Sequence, residues 1–251
     1  MAKIDLRNKV VLVAGGAKNL GGLISREVAK HGSDVVVHYN SDSTKQAAEE
    51  TLKAVQDLGR KAILIQSDLT KVENVTALFK EAKDKLGRVD VAVNTVGMVL
   101  KKPFSETTEE EFDTMSAVNS KSAYFFIQEA GKSLEDNGKI ITLATSLLGA
   151  YTGFYSTYAG GKAPIEHYTR AASKEFGERG ISVNSVAPGP MDTPFFYGQE
   201  SPEAVAYHKS ASALGGLTKI EDIVPIITFL ATEGWWITGQ TILANGGYTT
   251  K

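Results

Sequence analysis

Short apolar runs alternate with amphipathic segments along this chain, and that alternation constrains its fold more than any other feature. The first run, Val10-Val11-Leu12-Val13-Ala14, is continuous and rich in β-branched residues, which is typical of a strand buried on both faces. Six more strands are predicted at 35–37, 62–65, 89–93, 139–143, 181–186 and 241–243, with helical segments between them. The alternation predicts an α/β fold in which helices cover both faces of a doubly wound parallel sheet, giving three layers in a single domain of residues 1–251.

Capping patterns and proline predict where some of the helices begin and bend. Residues 70–73 (Thr-Lys-Val-Glu) match a capping box, and so do Thr108 and Glu111, which are predicted to begin a long helix that runs to about residue 132. Another helix is predicted over 155–176, slightly bent where Pro164 removes an amide donor.

The composition excludes several classes of function. The net charge of −2 gives no basic surface for nucleic acid or an anionic membrane, and no apolar run is long enough to span a bilayer. Because the chain has no cysteine, it can form no disulfide, thiolate nucleophile or cysteine-ligated metal site. The four histidines show no metal-ligand spacing, and the N-terminus has no signal-peptide core, so no metal and a cytoplasmic location are expected.

A glycine-rich turn follows the first predicted strand. Residues 15–21 read Gly-Gly-Ala-Lys-Asn-Leu-Gly, and a helix is predicted next. Glycines let the backbone turn tightly and approach a pyrophosphate, whose charge the N-terminal amides of the helix can bind. The turn therefore predicts a nucleotide site, the alternative being a turn that merely ends a strand. Asn19 stands where a middle glycine is expected, and asparagine tolerates positive φ better than most residues.

Tyr158 and Lys162 lie four residues apart in a predicted helix, so their side chains share one face. A phenol beside an ammonium ionises more easily, which predicts a lowered pKa for Tyr158 and a role in proton transfer. Ser146, twelve residues earlier, could hold a carbonyl oxygen that this phenol protonates. Chance spacing of two common helix residues is the alternative.

Together these motifs resemble those of the short-chain dehydrogenase/reductase family, in its short, single-domain branch with the Rossmann fold. Ala14-Gly15-x-x-x-Asn19-Leu20-Gly21 resembles the family's TGxxxGxG turn, and Asn94-Thr95-Val96-Gly97 resembles its NNAG segment. Ser146-x-x-Gly149, Tyr158-x-x-x-Lys162 and Pro188-Gly189-x-x-x-Thr193 match further family motifs in order. The resemblance covers nearly the whole chain.

The resemblance implies a catalytic role for four residues. Tyr158 would exchange a proton with the substrate oxygen, Lys162 would bind the nicotinamide ribose and lower the pKa of the phenol, and Ser146 would orient the oxygen. Asn119 would hold a water that connects Lys162 to solvent, the alternative being a helix-interior amide bonded to its neighbours. Thr145 is a rival hydroxyl to Ser146, which is preferred because it fits the family's Ser-x-x-Gly pattern.

NADPH is the cofactor that this resemblance favours, with NADH the weaker alternative. The second predicted strand ends in His-Tyr-Asn-Ser (38–41), with no acid before Asp42 to bind the ribose hydroxyls and repel a 2′-phosphate. Lys18 is the predicted cation for that phosphate, or else a solvated surface charge. The predicted cofactor-binding residues are Gly15, Lys18, Asn19, Leu20, Gly21, Asn40, Ser41, Asp68, Leu69, Asn94, Gly97, Tyr158, Lys162, Pro188, Gly189, Met191 and Thr193.

Aromatic residues near these motifs predict the walls of a substrate pocket. Besides Ser146 and Tyr158, the candidate substrate contacts are Tyr151, Phe154, Phe195 and Phe196, and ordinary loop packing is the alternative. Residues 190–216 form a long segment with glycines that can act as hinges, which predicts a substrate lid.

The favoured function is an oxidoreductase that transfers a hydride from NADPH to a small ketone or aldehyde and forms an alcohol. A 3-oxoacyl-[acyl-carrier-protein] reductase is the alternative, but the acidic residues Glu135 and Asp136 weigh against an acidic carrier-protein partner. A non-catalytic nucleotide sensor is more remote, since all four family catalytic residues are present. Family members are usually tetramers, so a homotetramer is expected, joined through helices 108–131 and 155–176 and the C-terminal segment.

Overall fold

Seven parallel strands form one sheet in the order β3-β2-β1-β4-β5-β6-β7. The structure is a computed structural model that describes residues 5–150 and 152–250. Helices pack on both faces of the sheet, so the predicted doubly wound, three-layer α/β fold is confirmed. The strands are β1 Val10–Ala14, β2 Asp34–Tyr39, β3 Ala62–Gln66, β4 Val91–Asn94, β5 Lys139–Leu143, β6 Ser182–Pro188 and β7 Thr241–Ala244.

The helices fill the connections between the strands. In chain order they are α1 Asn19–Lys30, α2 Lys45–Asp57, α3 Val72–Leu86, α4 Glu109–Ser116, α5 Ser122–Ser133, α6 Ser156–Lys162, α7 Pro164–Glu175, α8 Pro194–Tyr197, α9 Pro202–Ala211 and α10 Ile220–Ala231.

The core lies in two layers, one on each face of the sheet, and β1 contributes to both. Val11 and Val13 pack against α1 and α10, whereas Val10, Leu12 and Ala14 pack on the side of α3, α5 and α7. Because side chains of a strand point alternately to the two faces, a continuous apolar run is what a strand covered on both sides requires. The β1 sequence therefore determines its central place in the sheet.

The functional side of the sheet follows from its strand order. The chain builds the sheet outward from β1 through β2 and β3 on one side, and from β4 through β7 on the other. The order reverses between β1 and β4, and in open α/β sheets ligands bind in the crevice beyond the strand ends at this point. The loops after β1, β4, β5 and β6 meet there.

One predicted helix start is correct and one is wrong. Thr108 caps α4 in a capping box with Glu111, as predicted. The box predicted at 70–73 does not form, because the Thr70 amide and hydroxyl both donate to Oδ1 of Asp68, at 3.0 and 2.7 Å. Asp68 closes a local turn that takes up the Thr70 hydroxyl, so α3 begins only at Val72, without a side-chain cap.

Both long predicted helices are interrupted. A π-helical turn, Ala117–Lys121, separates α4 from α5 and carries Asn119. The other helix divides at Ala163, and Pro164 occupies the first turn of α7, where its missing amide leaves no hydrogen bond unmade. The two interruptions flank the site described below.

Candidate active site

A cleft of about 490 Å³ opens beyond the carboxyl ends of the strands, and a smaller pocket of about 100 Å³ adjoins it. Residues from the loops after β1, β4, β5 and β6 line the cleft. Tyr158 and Phe195 line both spaces and therefore stand where the two meet.

The glycine turn after β1 is as tight as its sequence predicts. Gly15 and Asn19 have φ of +73° and +48°, so Asn19 takes the positive φ that its residue type tolerates. A Cβ at Gly21 would lie 2.1 Å from the Gly15 carbonyl oxygen, so only glycine fits there. The α1 helix has no side-chain cap, which leaves its first amides available to a ligand at the end of the cleft.

His38, at the end of β2, was missed by sequence reasoning and holds this turn in place. Its Nδ1 accepts a hydrogen bond from the Gly15 amide at 3.1 Å, and its Nε2 donates to the Ser67 carbonyl oxygen at 2.8 Å. Burial lowers the pKa of the imidazole to about 4, so the ring is neutral at physiological pH. In the sequence, this histidine looks like any other residue of a buried strand.

The outer end of the cleft bears on the choice of cofactor. Lys18, Asn40, Asp68 and Leu69 line it, as does Thr44, which sequence reasoning missed. Ser41 was predicted here but does not line the cleft; its hydroxyl instead pairs with that of Ser43 at 2.9 Å.

Acidic groups are sparse at this end. Asp42 begins a short turn, Asp42–Thr44, and does not line the cleft. Asp68 is the one carboxylate among the described lining residues, and hydrogen bonds from Thr70 lower its pKa against the opposing effect of desolvation. No carboxylate therefore occupies the position after β2 that would repel a phosphate.

The loop after β4 corrects one predicted contact. Gly97 lines the cleft, but Asn94 does not, because its side chain is buried below the loop, where Oδ1 accepts from the Val96 amide at 2.9 Å. Thr95 anchors the glycine turn by donating to the Ala14 carbonyl oxygen at 2.8 Å. Asn94 shapes this loop from below, and its predicted contact with a cofactor stays a prediction.

Lys162 and Asn119 lie behind this loop. The Lys162 ammonium donates to the carbonyl oxygens of Val96 and Leu143, each at 3.0 Å, and burial lowers its pKa to about 8. Asn119 accepts from the Met98 amide at 3.0 Å and donates to the Met98 carbonyl oxygen at 2.9 Å. Its amide group thus fixes the loop to the π-helical turn, and the water that it was predicted to hold stays a prediction.

The two candidate hydroxyls for the substrate oxygen, Thr145 and Ser146, have different surroundings. The Thr145 hydroxyl lies near the phenol, and its interaction with the phenol opposes the rise that burial causes in the pKa of Tyr158. Ser146 is buried and donates instead to the Pro188 carbonyl oxygen at 2.6 Å. Both residues line the smaller pocket, and because the Ser146 hydroxyl already donates to Pro188, Thr145 is the stronger candidate to orient a substrate oxygen.

The predicted lowering of the Tyr158 pKa by Lys162 is also wrong in this structure. Burial raises the pKa of the phenol, and only the Thr145 hydrogen bond opposes that effect. The Lys162 ammonium, although on the same helix, is held by its two carbonyl partners. The phenol is consequently protonated at neutral pH and is suited to donate a proton.

The segment after β6 forms the remaining wall. Pro188, Met191 and Thr193 line the cleft, while Gly189, predicted beside them, lines only the smaller pocket. The Thr193 hydroxyl oxygen is buried without a hydrogen-bond partner in the described part of the chain. A buried hydroxyl at a cleft wall fits a ligand with a polar group to bind it.

The aromatic predictions for the pocket are correct in part. Phe195 and Phe196 line the smaller pocket, and the Phe195 ring lies 6.4 Å from that of Tyr158. Phe154 does not: it is 56% exposed, and its backbone, at φ +67°, turns the ring away while its carbonyl accepts from the Lys102 amide. Tyr151 lies outside the described residues.

Four polar side chains, which the sequence did not reveal as neighbours, line the same pocket. Tyr155, Glu200, His208 and Tyr248 all face it. Tyr155 donates its hydroxyl hydrogen bond to Glu200, and Lys101 forms an ion pair with the same carboxylate. These residues come from four distant parts of the chain, so only the fold brings them together.

Residues 5–150 and 152–250 contain neither a membrane-spanning helix nor a cluster of metal ligands. No helix there is long and apolar enough to cross a membrane. No three histidine or acidic side chains come together as a metal site in that same part of the chain.

Comparisons with known proteins relate the chain to a family of reductases. Residues 15–249 match a family model described as enoyl-(acyl carrier protein) reductase. A hydroxynaphthalene reductase-like protein of Metarhizium brunneum is 34% identical, covering 98% of this chain and 97% of its own.

Two solved structures share the fold. A proposed dehydrogenase from Burkholderia cenocepacia with bound NADP is 62% identical, with a TM-score of 0.98 over 100% of this chain and 97% of its own. A short-chain dehydrogenase from Oenococcus oeni is 54% identical, with a TM-score of 0.80 over 100% of both chains.

Proposed function

The chain belongs to the short-chain dehydrogenase/reductase family, and on that premise we propose that it is an NADP(H)-dependent reductase converting a small ketone or aldehyde to an alcohol. The observation that carries the proposal is the position of Tyr158. Its phenol stands where the glycine-turn cleft meets the smaller pocket, with the Thr145 hydroxyl beside it. A proton donor thus lies between a site for a nucleotide and a site for a substrate.

The residues of the cleft fit NADP(H). The turn at Gly15 and the open amides of α1 suit a pyrophosphate, and the buried Thr193 hydroxyl suits a polar group at the inner end. At the outer end, Lys18 offers a cation for a 2′-phosphate with no carboxylate after β2 to repel it. The Burkholderia relative, which was crystallised with NADP, supports the same choice.

The side chains provide the remaining chemistry. When bound, the reduced cofactor supplies the hydride that attacks the carbonyl carbon. Tyr158, which is protonated at neutral pH, donates its proton to the carbonyl oxygen, and Thr145 donates a hydrogen bond to the same oxygen. Lys162, whose pKa lies at about 8, can supply a proton to the phenolate, and Asn119 positions the loop beside it.

Segment 190–216 forms the lid of the pocket in this proposal. Its helices α8 and α9 bring Phe195, Phe196, Glu200 and His208 to the pocket. Gly215 and Gly216, with φ of +75° and +85°, lie near its end and are the residues proposed to act as its hinge.

The assembly and location stay proposals as well. A homotetramer is supported by large apolar side chains exposed on α4 and α5, among them Phe112 and Tyr124, and by Trp236 near the C-terminus, which is 82% exposed. Light scattering tests the tetramer, and a monomeric mass contradicts it. Fractionation of cells tests the cytoplasmic location.

Loss of nicotinamide absorbance is the direct test of the reaction. NADPH and NADH are each assayed against ketones, aldehydes, ketoesters and an acetoacetyl thioester. Turnover with NADPH and a small ketone or aldehyde is expected. Exclusive turnover of the thioester would favour the carrier-protein reductase, turnover with NADH alone would contradict the role of Lys18, and no turnover with any substrate would contradict the proposed function.

A further inference from the structure

Five residues form a half-buried polar cluster next to Tyr158, and four of them line the smaller pocket. The cluster, called the Glu200 cluster, consists of Lys101, Tyr155, Glu200, His208 and Tyr248. The Glu200 side chain is only 1% exposed, and His208 is 12% exposed. The Tyr155 ring lies 6.4 Å from the Tyr158 ring, so the cluster borders the place where the proposed reaction occurs.

The hydrogen bonds of the cluster converge on one carboxylate. Glu200 accepts from the Tyr155 hydroxyl and from the Lys101 ammonium, and the His208 Nε2 lies 3.6 Å from its Oε1. The other His208 nitrogen bonds the Tyr248 hydroxyl at 2.9 Å. Since desolvation lowers the pKa of His208, the ring is neutral at pH 7, and the charges of Glu200 and Lys101 cancel.

A neutral cluster of this kind distinguishes among ligands by their chemistry. The Tyr155 hydroxyl donates its hydrogen bond to Glu200, so its oxygen can still accept a hydrogen bond from a ligand. A substrate carboxylate has no proton to give and would lie beside the Glu200 charge. A neutral hydroxyl both fits the pocket and supplies the missing donor.

We propose that the Glu200 cluster, acting through Tyr155, recognises a hydroxyl group that a neutral substrate carries close to its reacting carbonyl. The inference rests on the proposed carbonyl reduction at Tyr158 and specifies its substrate class as hydroxyketones. The two rings are neighbours, with centroids 6.4 Å apart, so a substrate whose carbonyl reaches Tyr158 would meet Tyr155 with a group close to that carbonyl. Ketoacids are the class that the cluster rejects.

Matched ketones test the inference. Hydroxyacetone and butanone differ only by a hydroxyl in place of a methyl group, and 2-hydroxycyclohexanone and 2-methylcyclohexanone form a second pair; pyruvate represents the ketoacids. For the wild-type chain with NADPH, we expect kcat/KM to favour the hydroxyketone of at least one pair by about 10-fold or more, as one hydrogen bond to a charge-assisted partner provides.

Two variants assign the preference to the cluster. Tyr155→Phe removes the acceptor and should bring the hydroxyketone preference down to within about 2-fold of unity. Glu200→Gln leaves Lys101 uncompensated, so kcat/KM for pyruvate relative to butanone should rise by about 10-fold, a gain that damage to the fold cannot produce. Tyr197→Phe is the matched control, because that hydroxyl bonds Asp192 at 2.7 Å on the same lid but does not line the pocket.

The outcomes separate this inference from the function on which it rests. If the wild-type chain reduces ketones without preferring a hydroxyketone, or if Tyr155→Phe lowers both members of a pair equally, the inference is overturned and the reductase stands. If it reduces no ketone or aldehyde at all, both are overturned.

Discussion

Two adjacent residues after β5, Thr145 and Ser146, carry hydroxyls whose removal should affect different properties of the enzyme. Thr145→Ala removes the hydroxyl that lies near the Tyr158 phenol, whereas Ser146→Ala removes the one that donates to the Pro188 carbonyl oxygen at 2.6 Å. Thr145→Ala thus removes a hydroxyl at the place of the reaction, and Ser146→Ala removes a hydrogen bond within the protein. Activity should therefore depend mainly on Thr145 and stability mainly on Ser146.

The magnitudes follow from these two partners. Loss of one donor to the developing negative charge on the substrate oxygen lowers kcat by about 10²- to 10³-fold. Loss of the Ser146 hydroxyl leaves the buried Pro188 carbonyl without that donor, which costs about 1–3 kcal/mol of unfolding free energy. For a chain of 251 residues, this corresponds to a fall in Tm of roughly 2–12 °C.

Steady-state kinetics with NADPH and thermal unfolding of the same preparations measure both effects. Thr145→Ser restores the hydroxyl and is the matched control, expected to keep kcat within about 5-fold of the wild-type value. A Ser146→Ala variant that loses 10²-fold in kcat, beside a Thr145→Ala variant that keeps its rate, would refute the assignment and restore Ser146 as the residue that orients the oxygen.

Three other changes have outcomes that the structure determines. Burial lowers the pKa of Lys162 from 10.5 to about 8. The buried charge therefore lowers the free energy of unfolding by its full amount below pH 8, and this cost disappears as the pH rises towards 10.5. In urea unfolding, the wild-type chain should gain about 2 kcal/mol relative to Lys162→Met between pH 7 and 9.5, whereas a constant difference would contradict the lowered pKa. Lys18→Glu should weaken NADPH binding by about 10-fold or more, measured by nicotinamide fluorescence, with little change for NADH; equal losses would exclude a phosphate contact. His38→Ala should raise the Kd for NADPH by about 5-fold while kcat at saturation is kept, because the ring holds the Gly15 turn and touches no reacting atom; an unchanged Kd would show that the turn needs no such support.

The features that could be predicted from the sequence are those that depend only on residues close together along the chain. The β1 strand was evident because an unbroken apolar run requires cover on both faces, and the Gly15–Gly21 turn because its backbone demands small residues. Tyr158 and Lys162 share α6, as their four-residue spacing requires. Each of these features is encoded within a few consecutive residues.

The errors at the site have a different physical origin. Thr145 and Ser146 are neighbours, and which hydroxyl faces the phenol depends on the backbone direction at the end of β5, which no motif specifies. Phe154 turns away because its φ is positive, a conformation that its residue type does not favour.

The polar partners of the site were hidden for a further reason. Lys101, Tyr155, Glu200 and His208 are residue types common on surfaces, and three different loops and a lid helix bring them together. His38 acts through its two ring nitrogens on segments that precede and follow it. Such tertiary hydrogen bonds leave no periodic signal in a sequence.

The most direct test of the central claim is a single turnover of Tyr158→Phe. The variant keeps the ring that lines the cleft and the pocket but loses the proton donor. With NADPH and a ketone that the wild-type chain reduces, it should bind NADPH with a Kd within about 3-fold of the wild-type value and transfer hydride about 10²- to 10⁴-fold more slowly. Hydride transfer at the wild-type rate would show that Tyr158 is not the proton donor of this enzyme.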